Sequence, residues 1–153
     1  MTPEEKLESM GLTLPPAPKP VGAYVPFVRT GNLVYISGQL PSRKGRVQYA
    51  GKVPTDISLT YASQAAKLAA LNALAIAAEA AGGLSNIARV VRLGVFVNSA
   101  QGFTDQPKVA NEASNFLVEV LGDKGRHARA AVGVNELPLN AAVELELLIE
   151  VAS

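Results

Sequence analysis

The chain has no cysteine and a single histidine, His127. The first absence removes disulfides, thiolate nucleophiles and cysteine-ligated metals together. The second leaves one chain unable to build a multi-histidine metal site. Phosphate-binding signatures are missing too, with no GxGxxG segment and no Walker loop, and there is no GxSxG nucleophile elbow. Charge of one sign is not in excess, with 14 lysines and arginines against 13 acidic residues and no basic block. Aromatics make up 5% of the residues. Nucleic acid therefore finds little electrostatic or stacking platform. No apolar run reaches the roughly 18–20 residues of a membrane span; the longest, Leu68 to Ala81, is interrupted by Asn72 and Glu79. Glu4, Glu5 and Lys6 stand where a signal peptide has a basic start and then an apolar stretch. The expectation is a soluble cytoplasmic protein.

What is present suits one domain with its own core: 153 residues, 48% hydrophobic and 18% charged, rich in alanine and branched aliphatics. Residues 1–20 read as an N-terminal helix and a proline-rich arm, and residues 21–153 as a single domain. Thr2, Pro3 and Glu5 form a capping-box pattern, Gly11 stops the short helix, and LPPAPKP (14–20) is an extended segment. Tyr24 to Ser37 reads as two strands around the Gly31-Asn32 turn, with Pro26 marking the first as an edge. The charged segment SRKGRVQYAGKVP (42–54) is most simply a solvated loop, with a short extension at Val47 to Tyr49. A long helix starts at Asp56 or Ser58 and ends at Gly82-Gly83. Ile87 to Asn98 alternates as a half-buried strand. A second helix follows Thr104 or Asp105, with Val109, Ala113, Phe116, Leu117 and Val120 at helical spacing. Two closing strands span Arg129 to Glu136 and Ala142 to Val151. This order predicts an α+β two-layer domain, its helices on one face of a mixed or antiparallel sheet. The last strand places Val143, Leu145, Leu147, Ile149 and Val151 toward the helices. Its other row, Glu144, Glu146, Leu148 and Glu150, faces away. A sheet face of that mixed character suits burial against another copy, so a homo-oligomer is expected.

The ribbon from Arg126 to Val151 carries the candidate chemistry. Drawn as a hairpin around Leu137-Pro138, it sets Ala131 opposite Glu144 and Arg129 opposite Glu146, with all four on one face. An arginine takes a carboxylate by two parallel hydrogen bonds, and a neighbouring glutamate positions water and moves its protons. Ala131 and Gly133 leave room for a small ligand. A plain cross-strand ion pair is the simpler reading of the ribbon taken alone. Elsewhere Tyr24 and Ser37 read as turn or strand-edge residues, Asn111 as solvent-exposed, His127 as a surface residue and Asn72 as a partner for a backbone group.

Taken in order, the motifs are GAY (22–24), SGQ (37–39), Gln64 and Asn72 in the helix, AAG (80–82), VFVN (95–98), Phe103, Asn111, AR (128–129), LP (137–138) and VELE (143–146). This series resembles the Rid family of reactive-intermediate deaminases, also called the YjgF or L-PSP endoribonuclease family, from about Val21 to the end. GKVP after the SGQ loop and the GRHARAAVGV segment resemble a longer branch of it. The resemblance implies a chorismate-mutase-like fold and a homotrimer with three clefts between neighbouring subunits. It implies hydrolysis of 2-enamino or 2-imino acids to 2-oxo acids and ammonia, with no metal and no cofactor. Arg129 would hold the substrate carboxylate and Glu144 would orient the water. Ala131 would offer backbone groups, and Tyr24, Ser37 and Asn111 would line the cleft. His127 stands where many members have proline, and Ala131 where cysteine is frequent; both bear on the substrate. A non-catalytic trimeric binder of small carboxylates is the alternative, with endoribonuclease activity behind it.

Overall fold

The computed structural model describes residues 1–17 and 23–153. The end of the expected proline-rich arm and Gly22 of the GAY motif lie outside the described residues. Helix α1 (Pro3–Ser9) opens on the expected capping box, Thr2 accepting from the Glu5 N–H and Glu5 from the Thr2 N–H. Its Leu7 enters the core, and the Glu4 carboxylate accepts from both the hydroxyl and the N–H of Ser85. The strands are β1 (Phe27–Thr30), β2 (Leu33–Gln39), β3 (Ser42–Arg43), β4 (Arg46–Val47), β5 (Ile87–Asn98), β6 (Ala128–Val134) and β7 (Val143–Val151). The long helices are α2 (Leu59–Ala81) and α3 (Gln106–Leu121).

Five strands form one sheet in the order β1-β2-β7-β5-β6, and β3 pairs with β4 in a separate small hairpin. All contacts in the main sheet are antiparallel except β5 with β6. The parallel pair is required by its connection, since α3 carries the chain back to the start of the next strand. Helices α2 and α3 cover one face, the two-layer α+β arrangement expected from the sequence. Ser58 caps α2 by accepting from the Tyr61 N–H, and Gly82 ends it in the left-handed conformation. Fully buried alanines along α2, among them Ala62, Ala65, Ala66, Ala69 and Ala73, let it lie close to the sheet. β7 alternates strictly, with Val143, Leu145, Leu147, Ile149 and Val151 buried in the helix-facing layer. No helix among the described residues is long and apolar enough to cross a membrane.

The closing ribbon is not a hairpin. β5 lies between β6 and β7, so the two strands adjacent in sequence never pair. Residues 135–142 carry the chain across the end of β5. There Asn98, fully buried, donates through Nδ2 to the Ala141 carbonyl and to Asn140 Oδ1, at 3.1 and 3.2 Å. Lys52 donates to Asn98 Oδ1 (3.1 Å) and to the Asn135 carbonyl. The Ala142 N–H donates to Tyr49, and the Gly51 N–H to Asn140. The 42–54 segment is thus only partly the solvated loop its composition suggests. Its first part is the β3–β4 hairpin. Its second part, with Gly51 and Val53 buried, pins the crossing that feeds β7 into the sheet. Asn72 fills the role expected of it, donating to the carbonyls of Leu40 and Ser42.

Candidate functional site

Residues paired across neighbouring strands point to the same side of a sheet. Arg129 on β6 pairs with Leu93 on β5, and Leu93 with Leu147 on β7. Leu93 and Leu147 are buried under the helices, so Arg129 is on the helix side, at the exposed edge of the sheet. Glu144 pairs with Phe96, and Glu146 with Gly94, on the opposite, open side. The ribbon geometry read from the sequence is therefore corrected. Ala131 lies level with Leu145 rather than Glu144, and Arg129 level with Leu147 rather than Glu146. Within one chain Arg129 and Glu144 face away from each other, two strand spacings apart (about 10 Å).

The helix-side cluster is built from β6 and α3. His127 and Arg129, two apart, lean toward α3, while Asn111 and Ser114, three apart, share its nearer flank. Arg129 Nη1 donates to Asn111 Oδ1 at 2.9 Å and to Ser114 Oγ at 3.2 Å. Ser114 Oγ lies 2.9 Å from His127 Nε2, and His127 Nδ1 lies 2.5 Å from the Gly125 carbonyl. Asn111 is solvent-exposed as expected, yet bonded. His127 is not a free surface residue: it is half-buried and engaged at both ring nitrogens. Ala131 follows on the same face of β6, packed at the margin of the core. Sequence reasoning missed Ser114. The available signal was its three-residue spacing from Asn111, matched by the two-residue spacing of His127 and Arg129.

The open-side cluster surrounds Glu144. A register shift between Ile36 and Gln39 bulges β2 beside it. The Glu144 carboxylate lies close over Gly38, where a Cβ would stand 2.5 Å from Oε2 and would displace it. Ser37 donates through Oγ to the Val25 carbonyl at 2.7 Å. This ties the bulge to the segment carrying Tyr24, which is 68% exposed. Burial, then the neighbouring charge of Glu146, pushes the Glu144 carboxyl above its ordinary value. Glu146 is itself paired with Arg92 at 3.2 Å. Around them the open face shows Val28, Tyr35 and Val132, each about half exposed. Among the described residues no group of three or more His, Cys, Asp or Glu side chains is arranged to hold a metal ion.

The raised Glu144 value carries a stability consequence. The charged form is disfavoured in the folded state. The penalty is absent below the ordinary glutamate value, where folded and unfolded states are both protonated, and complete above the folded value. Glu144→Gln is expected to raise the melting temperature at neutral pH. The gain should disappear as pH falls below about 4.3, read by thermal unfolding across a pH series.

Comparison with known proteins agrees with this architecture. Residues 4–151 match the family described as "YjgF/chorismate mutase-like, putative endoribonuclease". Protein TCP17 of Trypanosoma cruzi is 41% identical over 94% of this chain and 91% of its own length. A 2-iminobutanoate/2-iminopropanoate deaminase of Dermatophagoides farinae is 29% identical over 90% of this chain and 93% of its own. The crystal structure of Atu1372 from Agrobacterium tumefaciens, a protein of unknown function, superposes with a TM-score of 0.91. It is 46% identical and the match covers 97% of this chain and 92% of that one. With the sheet order, the two-helix layer and a match spanning nearly its whole length, the chain belongs to the YjgF/chorismate mutase-like family.

Proposed function

We propose that the protein is a hydrolytic deaminase of reactive 2-enamino and 2-imino acids, working as a cytoplasmic homotrimer with sites between its subunits. The observation that carries this reading is the state of Arg129. Both Nη1 hydrogens have protein acceptors in Asn111 and Ser114, while the Nε–Nη2 edge offers two parallel donors matching a carboxylate. Glu144 supplies the complementary chemistry. A carboxyl raised above its usual range by burial and Glu146 takes and returns a proton more readily near neutral pH than an ordinary glutamate. The substrate carboxylate sits on Arg129, and water held by Glu144 adds to the imine carbon as Glu144 takes its proton. Glu144 then returns that proton to the nitrogen of the tetrahedral carbinolamine, the C–N bond breaks as ammonia leaves, and the hydroxyl proton passes to the freed Glu144 carboxylate. The C=N bond becomes C=O, and no redox change occurs. The imine carbon is already electrophilic, so the scheme needs no metal or cofactor. The relative named as a 2-iminobutanoate/2-iminopropanoate deaminase supports the substrate class.

The same geometry supports the oligomer. Arg129 and Glu144 lie on opposite sides of one sheet, so a shared substrate requires the β6 edge of one copy to meet the open face of another. The half-exposed Val28, Tyr35 and Val132 on that face give such a contact apolar area to bury. Tyr24 and Ser37 would line the cleft from the Glu144 side, and Asn111 and the backbone of Ala131 from the Arg129 side. The direct test is release of 2-oxobutyrate or pyruvate from freshly generated 2-iminobutyrate or 2-iminopropionate. Turnover well above spontaneous hydrolysis is expected; a rate equal to the background would end this reading.

A second reading is a non-catalytic binder of small carboxylates. It is favoured by one feature: the Arg129 cluster is complete within a single chain, whereas Glu144 is remote from it. Under this reading Glu144→Gln binds 2-oxo acids as the native protein does, and no imine is consumed.

A further inference from the structure

The guanidinium of Arg129 ends a hydrogen-bonded chain whose direction can be read from its far end. A backbone carbonyl only accepts, so the 2.5 Å contact with Gly125 places a proton on His127 Nδ1. In the neutral ring Nε2 is then an acceptor. The Ser114 hydroxyl, 2.9 Å away, therefore donates to Nε2. Its oxygen turns a lone pair toward Arg129 Nη1 at 3.2 Å. A serine inside a helix otherwise bonds back to the carbonyl four residues earlier, with its lone pairs aimed elsewhere. His127 removes that option. Bonds in such a chain polarise one another, which strengthens the acceptor Arg129 meets. With the second Nη1 hydrogen on Asn111 Oδ1 at 2.9 Å, two fixed acceptors define the guanidinium plane.

We infer that His127 and Ser114 are positioning residues that fix the plane of Arg129, so that a planar carboxylate is taken side-on by its Nε–Nη2 edge. This rests on Arg129 being the carboxylate clamp. Neither residue touches the substrate; His127 acts only through Ser114, and Ser114 only through Arg129. Loss of either residue loosens the hold on the carboxylate and raises KM, and kcat falls only as far as the looser plane misorients the imine carbon.

Because His127 is the chain's one histidine, an imidazole 15N spectrum reads it without assignment. Of the two neutral tautomers the Nδ1–H form is expected, with the Nε2 resonance moving in Ser114→Ala. Calorimetry with 2-oxobutyrate should show Ser114→Ala binding about tenfold more weakly, as loss of a hydrogen bond to a charged group implies. His127→Ala should weaken binding severalfold. His127→Gln should recover most of the loss, since its Oε1 stands where Nε2 stood. In the Ser114→Ala background, His127→Ala should add nothing. A neutral Nε2–H tautomer, additive effects of the two substitutions, or native affinity in Ser114→Ala would overturn the relay. Arg129→Ala separates the two levels. If it loses 2-oxobutyrate while the Ser114 and His127 variants keep it, the relay alone fails. If Arg129→Ala binds as the native protein does, or the native protein binds no 2-oxo acid, the clamp fails and the relay falls with it.

Discussion

Arg129→Ala is expected to lower kcat/KM for 2-iminobutyrate by about a hundredfold or more, with the fold intact by circular dichroism and thermal unfolding. Under the proposed function the loss is large because two parallel charge-assisted hydrogen bonds to the substrate would disappear together, along with the orientation they would impose on the imine carbon. The fold survives because Arg129 lies at the exposed sheet edge and, among the described residues, its side chain bonds to Asn111 and Ser114 on the flank of α3. Neither neighbour is left as a buried polar group without a partner, since Asn111 is exposed and Ser114 keeps His127. Arg129→Lys should recover little. An ammonium is a point charge that can satisfy Asn111, Ser114 or a carboxylate oxygen, but it cannot present a planar edge. Initial rates of ammonia release, measured against spontaneous imine decay, give the comparison. Native activity in Arg129→Ala would remove Arg129 from the site.

The second large effect is recovery of activity from two inactive chains. Glu144→Ala and Arg129→Ala should each be nearly inactive alone, yet co-expression in equal amounts should restore roughly a quarter of native turnover. The figure follows from the symmetry of the proposed ring, in which each interface would use Arg129 of one copy and Glu144 of its neighbour. Random assembly makes about one interface in four native in both. The basis is the register, since Arg129 aligns with Leu93 and Leu147 while Glu144 aligns with Phe96 on the other side of the sheet. A site contained within one chain would show no recovery at any mixing ratio. That outcome would require the two groups to meet through a rearrangement of the sheet.

The architecture was legible wherever the deciding interactions are local. The Thr2–Glu5 capping box, the Ser58 cap, the Gly82 stop, the Gly31-Asn32 turn and the alternation of Val143 to Val151 depend on residues a few positions apart. The sequence shows them directly. The side-chain clusters of the candidate site were legible in part. Arg129, Asn111, Glu144 and Ser37 are residues around which the two clusters form, but their grouping was misjudged. Ser114 was passed over and His127 dismissed. A helix flank and a strand edge each look unremarkable until their two short spacings are set against one another.

What the sequence by itself determined, then, is which residues share a face within each element, because backbone geometry repeats every two residues in a strand and every three or four in a helix. It did not determine which strands are neighbours. β6 and β7 are adjacent in the chain and were expected to pair. β6, rich in alanine and glycine, has few large side chains to bury and takes the edge. β7 buries every second residue and takes the centre. The passage between them is held across the end of β5 by Asn98 and Lys52. Moving a strand by one register position reverses every side chain it carries, so the face relation between two strands belongs to the tertiary structure. That relation puts Arg129 and Glu144 on opposite sides of the sheet and makes the proposed site a joint property of two copies.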